Sequence, residues 1–536
     1  MKVLLVEPSY KNKYPPLGLM KIAAFHKVNH DEIKFVKGLD KNERSKMWDR
    51  IYITTLFSFY WSKTIETIKY YEFSVKDPQN LFIGGPMATI MAEEIENETG
   101  FKVIKGLLNE KGKLRIDNDE NVDGLVPDYS ILDLVDYKYP AQDAYFAYMT
   151  RGCIRRCPFC AVPQIEPDYS SYISIRSQIE NIDRLYGKKS SLLLMDNNVL
   201  GSDRFERIVD EIKELGFQKG AVYTPENLFE IYCDRLELDP YDKAARLKIS
   251  NLIQNFARDR LSRYADAFNY YTETIKKFQL DDKEADEFVQ RLLSARHELS
   301  PIFEKYRNKT KKHRLVDFNQ GLDARLVTDA KMKKLSEINI KPLRIAYDDL
   351  NITKTYNNAV KLAVKYGITN LSNYILYNYH DKPDDFYCRL ENNIKLNKKY
   401  GVKIYSFPMK YIPVTDKNRS DYIGEHWNRK YLRAIQSVLN VTKGSVSPGE
   451  HFFYKAFGKT IQEFHKIMLM PEHYIIQRFA SEESGLTDMW WKEYTSLTEK
   501  AKGNVDKIVF KNIFHLDKDE MASIGEAAMS CLKHYK

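Results

Sequence analysis

The sequence predicts a multidomain α/β protein. We expect a doubly wound parallel sheet at the N-terminus, then a partial (β/α)6 barrel with a helical insertion, and a helical C-terminal domain. Three observations lead to this prediction: short apolar runs alternate with helical patterns, six further strand–helix units follow, and one long polar stretch interrupts them. With 536 residues the chain is too long for a single core.

The first domain is expected to span residues 1–130 and to be Rossmann-like. Its strands are predicted at Val3–Val6, Ile33–Val36, Ile51–Thr54 and Leu81–Ile83. Ligands of such sheets bind beyond the carboxyl ends of the strands. The loops that occupy this place are Glu7–Tyr14, Thr54–Trp61 and Gly84–Met87.

The barrel is expected over residues 131–416, interrupted by a helical insertion at 217–312, and the helical C-terminal domain over 417–536. Six strands are predicted for the barrel: Tyr145–Thr150, Leu192–Met195, Val316–Asn319, Leu343–Tyr347, Tyr374–Tyr377 and Ile404–Phe407. Helical patterns separate consecutive strands, as a barrel of parallel strands requires. The insertion is too long for an ordinary loop, which favours a subdomain of its own.

Net charge, cysteine content and the lengths of apolar runs indicate what kind of protein this is. The formal net charge of +9 favours an anionic partner such as nucleic acid, although a solvated lysine-rich surface explains it equally simply. Six cysteines, three of them within eight residues, do not form a disulfide framework. The N-terminal apolar run is too short for a signal peptide and no stretch is long enough to span a membrane, so we expect a cytoplasmic protein.

One motif carries specific chemistry: Cys153, Cys157 and Cys160 follow the first predicted barrel strand with the spacing C-x3-C-x2-C. Cysteine thiolates bind iron–sulfur clusters, and three of them leave one iron of a 4Fe-4S cluster open to another ligand. A structural zinc site would require a fourth cysteine or histidine nearby, and the next histidine is His297. The motif therefore predicts a 4Fe-4S cluster rather than zinc.

This motif resembles the signature of the radical S-adenosylmethionine (SAM) superfamily, C-x3-C-x-aromatic-C, with Phe159 at the aromatic position. The resemblance implies that the open iron binds SAM, that Phe159 packs beside the adenosine, and that a reductase, flavodoxin or ferredoxin supplies electrons. It also implies SAM contacts at the ends of later barrel strands. The residues at those positions are Asp196, Asn198, Gln320, Asp323, Arg325, Asp348 and Asn378. Helix caps and surface turns explain such residues as well.

The N-terminal domain resembles the cobalamin-binding domain of one radical SAM subclass, through its opening strand, Tyr14–Leu19 and Ile83–Pro86. The resemblance implies a corrinoid near Gly84 and Gly85, where absent side chains would let a flat macrocycle approach. The chain lacks an Asp-x-His-x-x-Gly motif, so no histidine is offered as lower cobalt ligand. Residues 1–150 contain no cysteine, which argues against the methylthiotransferases, whose first domain carries a second cluster.

The sequence thus predicts a radical SAM enzyme, with cobalamin, that methylates an unreactive carbon or abstracts hydrogen from it. Two alternatives stay open: a radical SAM enzyme that modifies RNA or DNA without cobalamin, and a non-catalytic iron–sulfur protein. Lys410 and Tyr411 are further candidates for substrate contact. Trp490–Trp491 and Phe452–Tyr454 are candidates for base stacking, although core packing is the simpler interpretation.

Overall fold

A computed structural model gives the fold and describes residues 1–116, 121–283, 286–414, 419–514 and 524–536. The N-terminal strands are β1 (Lys2–Glu7), β2 (Glu32–Lys37), β3 (Arg50–Thr54), β4 (Leu81–Gly84) and β5 (Val103–Ile104). They pair in parallel in the order β2-β1-β3-β4-β5. The accompanying helices are α1 (Leu17–Val28), α2 (Lys41–Arg44), α3 (Trp61–Tyr71), α4 (Pro86–Ile90) and α5 (Ala92–Thr99).

The burial of β1 explains why its sequence is continuously apolar. Val3 and Leu5 belong to the core under α1, whereas Leu4 and Val6 belong to a separate core under α3 and α5. A parallel strand covered by helices on both faces must be apolar at every position. The predicted doubly wound sheet is therefore confirmed. The two-residue strand β5 was not predicted, because it is too short to leave a pattern.

The barrel begins with β6 (Ala144–Ala147), α6 (Val162–Ile165), α7 (Arg176–Tyr186), β7 (Ser191–Leu194) and α8 (Phe205–Ile212). It resumes after the insertion with β10 (Leu315–Phe318), β11 (Leu322–Asp323), α13 (Asp329–Leu335), β12 (Leu343–Ala346), α14 (Thr353–Lys365), β13 (Asn370–Tyr377), α15 (Pro383–Tyr400) and β14 (Lys403–Lys410). The paired orders are β6-β7-β10 and β11-β12-β13-β14, all parallel.

Backbone hydrogen bonds just before β12 join the two sets of strands. The Lys341 amide donates to the Val316 carbonyl at 2.9 Å, and the Val316 amide donates to the Asn339 carbonyl at 3.0 Å. β10 thereby neighbours β12, and six strands follow one another as a curved parallel sheet. This confirms the predicted partial barrel, whose carboxyl ends all open on one side.

The insertion contains β8 (Val222–Tyr223), α9 (Leu228–Leu238), α10 (Lys243–Phe256), α11 (Ala265–Lys277), α12 (Phe288–Tyr306) and β9 (Lys312–His313). Its helices enclose their own core, in which the Phe229 and Phe303 rings stack at 4.3 Å. Ion pairs such as Lys27–Asp242, at 3.2 Å, join it to the N-terminal domain. The insertion therefore contacts the N-terminal domain as well as the barrel from which it extends.

The C-terminal region is helical, with α16 (Arg429–Val441), α17 (Glu450–Phe457), α18 (Ile461–Leu469), α19 (Glu472–Ile476), α20 (Arg478–Glu483), α21 (Leu486–Ser496), α22 (Glu499–Lys511) and α23 (Glu526–Lys533). The boundary expected after residue 416 lies outside the described residues. Trp490 and Phe453 are fully buried in the core of this region, so their rings pack helices and are not available to bases. No helix in the described ranges is long and apolar enough to cross a membrane.

Candidate functional site

The cysteine motif lies on an irregular loop that leaves β6 at the open end of the barrel. Gly152 opens this loop with a φ of +65°, and a Cβ at this position would lie 2.4 Å from the Asp168 carbonyl oxygen. A side chain at this position is excluded both by the left-handed backbone and by the returning chain. Gly152 thus allows the chain to turn sharply into the cysteine loop.

The three thiols are half-buried and unbridged, and polar donors point at their sulfurs. The Arg155 amide lies 3.4 Å from Cys153 Sγ, and the Val162 amide lies 3.5 Å from Cys160 Sγ. Such N–H groups stabilise sulfur that carries negative charge. Two of the three sulfurs thus have a backbone N–H group that would stabilise a thiolate once the proton is lost.

Electrostatics show that the three sulfurs lie near one another. Burial raises the pKa of Cys160, and the neighbouring Cys157 and Cys153 raise it further. Burial also raises the pKa of Cys157, while the Arg325 guanidinium beside it acts in the opposite direction. Thiols with raised pKa values lose their protons when a metal binds them, which couples occupancy of the site to pH.

The donor set fits a group larger than a single metal ion. Among the described residues, no three His, Cys, Asp or Glu side chains converge on one ion position. Two buried oxygens beside the loop, Asp196 Oδ2 and Asn198 Oδ1, have no hydrogen-bond partner within the described chain. Five other buried polar side-chain atoms of the described residues also lack a hydrogen-bond partner, so it is the position of these two oxygens beside the cysteine loop that suits a polar ligand. Three thiolates beside such acceptors fit an iron–sulfur cluster with a polar molecule on its open iron.

Asn198 and Asp196 follow β7, as the sequence placed them, but they have different surroundings. The Asn198 amide nitrogen lies 3.7 Å from Cys153 Sγ, so this residue lies beside the first cysteine. Asp196 Oδ1 accepts from the Met149 amide at 3.0 Å and from the Thr150 hydroxyl at 2.7 Å. Burial raises the pKa of Asp196 to about 6. One oxygen of Asp196 therefore holds the start of the cysteine loop, and only Oδ2 is left for a ligand.

Asp323 and Arg325 form a charged pair next to the cysteines. Arg325 Nε lies 2.7 Å from Asp323 Oδ1, and Arg155 of the cysteine loop contacts the other oxygen, Asp323 Oδ2. Two guanidinium groups thus occupy the Asp323 carboxylate, and they hold its pKa below its usual value despite burial. In this arrangement Asp323 orients Arg325 and Arg155, whereas Arg325 is placed to reach a bound anion.

Asp348 and Gln320 lie at the ends of β12 and β10 and differ in exposure. Burial raises the pKa of Asp348 to about 6, opposed by the nearby Arg389 and Arg325. Asp348 is also close enough to the cysteines to raise the pKa of Cys157. Gln320, by contrast, is exposed to solvent. The structure therefore brings Asp348, and not Gln320, into the buried surroundings of the cysteine loop.

Asn378, for which the sequence predicted a cofactor contact, has its side-chain amide engaged within the chain. The residue is fully buried with a φ of +66°. Its amide nitrogen donates to the Tyr411 carbonyl at 3.1 Å, and its Oδ1 accepts from the Gly424 amide at 2.8 Å. Both ends of the amide are used to fasten the chain that follows β14. The next residue, Tyr379, instead presents its ring 5.7 Å from the Phe159 ring.

Glu166 is the functional residue that sequence reasoning missed. Its Oε1 accepts from Arg151 at 2.9 Å, and its Oε2 accepts from the Gly152 amide and from Asn197, both at 2.8 Å. Arg151 also pairs with Asp123. One buried carboxylate thus ties both ends of the cysteine loop to the loop after β7. No sequence signal marks it, because its partners are distant or lie in irregular backbone.

The N-terminal domain meets the barrel at the same end as the cysteines. The Tyr14 hydroxyl donates to Asn319 Oδ1 at 2.5 Å, directly after β10, and α4 packs against α6, the helix that follows the cysteines. Burial raises the pKa of Tyr14 to about 12, so its hydroxyl stays protonated. The loops at the carboxyl edge of the N-terminal sheet therefore adjoin the cysteine loop.

Gly84 and Gly85 lie in this edge, and packing within the domain already requires a glycine at position 85. Its φ is +108°, and a Cβ would lie 2.4 Å from the Thr55 carbonyl oxygen of the adjacent loop. The absence of a side chain is therefore required by packing inside the domain, whether or not a macrocycle approaches. At Gly84 an added Cβ would make only an ordinary contact, 3.7 Å from the Ile104 carbonyl oxygen.

Comparison with solved structures gives a distant likeness. No protein-family model matches the chain, and no curated protein sequence matches it. Among solved structures, the chain is similar to the radical S-adenosylmethionine methyltransferase TsrM from Kitasatospora setae, solved with its tryptophan substrate and the SAM analogue aza-SAM bound. The two chains are 11% identical, with a TM-score of 0.42, over 77% of this chain and 73% of the other.

Proposed function

We propose that this protein is a radical SAM enzyme that carries a 4Fe-4S cluster on Cys153, Cys157 and Cys160. The observation that carries the proposal is the cysteine loop itself. Three neighbouring thiols, two of them with backbone N–H donors on their sulfurs, follow the first strand of a six-stranded parallel barrel, at its open end. Two unpaired buried oxygens lie next to them. A cluster that binds SAM uses each of these features.

Different residues of the chain would bind different groups of SAM. The cluster, when bound, supplies the electron that cleaves SAM reductively to a 5′-deoxyadenosyl radical. Asp196 Oδ2 and Asn198 Oδ1 would accept hydrogen bonds from the SAM amino group, which would satisfy both unpaired oxygens. Arg325, oriented by Asp323, binds the SAM carboxylate. The Phe159 and Tyr379 rings shield the adenosine side from water.

The test is iron content and SAM cleavage in anaerobically purified protein. We expect about four irons per chain, and release of 5′-deoxyadenosine and methionine after reduction with flavodoxin or dithionite. Alanine at any of the three motif cysteines should abolish both. Cys388→Ala is the matched control, because Cys388 is also half-buried but lies on α15. Full iron in all three motif variants would refute the cluster. Iron without SAM cleavage would favour a non-catalytic iron–sulfur protein.

We also propose that cobalamin binds at the carboxyl edge of the N-terminal sheet and takes part in methyl transfer. Phe57 and Phe59 support this, since their rings stack at 5.1 Å and are 52% and 68% exposed on the loop after β3. Exposed rings of this kind suit a flat apolar face. The adjoining cysteine loop would place corrinoid, SAM and substrate in one cavity, as methyl transfer requires.

Retention of hydroxocobalamin after gel filtration tests this second proposal. The double variant Phe57→Ala/Phe59→Ala should lose the corrinoid and keep its iron. The matched control is Phe73→Ala, because Phe73 is equally exposed in the same domain but follows α3 at the opposite edge of the sheet. Gly85→Leu is unsuitable as a control, since its side chain would collide with Thr55. A wild-type protein that retains no corrinoid would refute the proposal and leave the radical SAM assignment intact.

A further inference from the structure

A small basic cavity lies where the end of the sixth barrel strand, β14, meets the C-terminal helices. Its volume is about 130 Å³, enough for several water molecules or one small oxyanion. Lys410, Arg429 and Arg433 line it together with one carboxylate, Asp421. Three cations against one anion give the cavity a net positive charge. Arg429 and Arg433 also lie in the first turns of α16, whose positive dipole end adds to the potential.

The positive charges of this cavity are incompletely paired among the residues that the structure describes. Lys410 has no ion pair or hydrogen bond to any of the described side chains. Burial lowers the pKa of Lys410, and the nearby Arg429 lowers it further. Arg429 makes one ion pair, 3.3 Å long, with the exposed Asp421. Arg433 Nε lies 3.4 Å from Glu472 Oε1, and this oxygen is closer to Lys430 Nζ, at 3.0 Å. A bound anion would relieve this repulsion.

A row of aromatic rings connects the cavity to the cysteine loop. The Phe159 and Tyr379 rings are 5.7 Å apart, the Tyr379 and Tyr411 rings 4.6 Å, and the Tyr411 and Tyr422 rings 5.3 Å. Tyr422 lines the basic cavity. The cavity therefore lies three ring contacts from the aromatic residue of the cysteine motif, on the open side of the barrel. An apolar or planar molecule could lie along this wall.

We propose that the cavity binds the anionic head group, a carboxylate or a phosphate, of the substrate. Lys410 and Arg429 hold this group, and the body of the substrate extends along Tyr422, Tyr411 and Tyr379 toward the cysteine loop. The substrate is then an elongated molecule with one anionic end. Identifying the ligand as the substrate rests on the proposed radical SAM function, whereas binding of the anion does not.

Calorimetric titration of the full-length, anaerobically purified protein tests this inference, with inorganic phosphate and benzoate as probes at low salt. We expect at least one probe to bind, and Lys410→Gln or Arg429→Gln to weaken it about tenfold or more, as loss of a charge-assisted hydrogen bond does. Lys403→Gln is the matched control, since Lys403 lies at the opposite end of the same strand. Tighter binding of phosphate assigns a phosphate head group, and tighter binding of benzoate a carboxylate on a planar body.

Two outcomes would overturn the proposal: neither probe binds the wild-type protein, or Lys410→Gln and Arg429→Gln bind as tightly as Lys403→Gln. Because the readout is heat of binding, it does not depend on iron or SAM cleavage. Protein that binds phosphate through Lys410 but releases no 5′-deoxyadenosine would refute the radical SAM function and keep the anion site. Protein that releases 5′-deoxyadenosine but binds neither probe would refute the anion site alone.

Discussion

Replacing Glu166 by glutamine should loosen the cysteine loop without changing its shape. The carboxylate accepts from three donors: Arg151, the Gly152 amide and Asn197. A glutamine amide has one acceptor oxygen, so its NH2 group must face at least one donor in either orientation. The variant thus loses the negative charge that Arg151 contacts and at least one hydrogen bond.

The free energy that the loop loses in this variant can be estimated from these contacts. A buried hydrogen bond to a charged group contributes about 1.5–3 kcal/mol, and a broken buried ion pair about 3–5 kcal/mol. Arg151 keeps its ion pair with a second carboxylate, Asp123. We therefore expect the loop to lose about 2 kcal/mol of stability, near the lower end of these ranges. This makes local opening of the loop about 30-fold more frequent. A chelator that reaches iron through such opening should therefore remove it about 30-fold faster.

The assay is iron release to a chelator under anaerobic conditions, followed by the loss of visible absorbance. Glu180→Gln is the matched control, because Glu180 lies exposed on α7, close behind the loop in sequence. The two variants should bind the same amount of iron at first and differ in the rate of release. Equal release rates in Glu166→Gln, Glu180→Gln and wild-type protein would refute the positioning role of Glu166.

Three further predictions follow from the site. Gly152→Ala should prevent cluster binding because its Cβ would collide with a carbonyl oxygen, whereas Gly18→Ala, with no atom within 4 Å of the added Cβ, should keep full iron. Arg325→Ala should weaken SAM binding in equilibrium titration by about 1.5–3 kcal/mol, and unchanged affinity would remove Arg325 from the SAM site. Burial raises the pKa of Asp196 from 3.8 to about 6, so the stability that its proton provides should be present below pH 3.8 and lost as pH rises through 6. Asp196→Asn should flatten this decline in thermal melts between pH 4 and 7, and an equal slope in both proteins would contradict it.

Local patterns were sufficient to predict the elements of the fold. The apolar runs of β1, β3 and β4 and the barrel strands were located to within a few residues, because a strand buried on both faces requires continuous apolar sequence. The cysteine spacing likewise places three thiols on one short loop whatever surrounds them. The strands of two residues, β5, β8, β9 and β11, escaped prediction because they are too short to show a period.

The roles of individual polar residues were decided by the tertiary structure alone. Asn378 ends a barrel strand as predicted, yet its amide is used by Tyr411 and Gly424, which only the fold brings close. Glu166 carries no motif, and it acquires its role from Arg151 and Asn197. A side chain's hydrogen-bond partners depend on distances between segments far apart in sequence, which periodicity does not encode. The sequence therefore determined where the chemistry would be placed, and packing decided which polar groups remain free to bind a ligand.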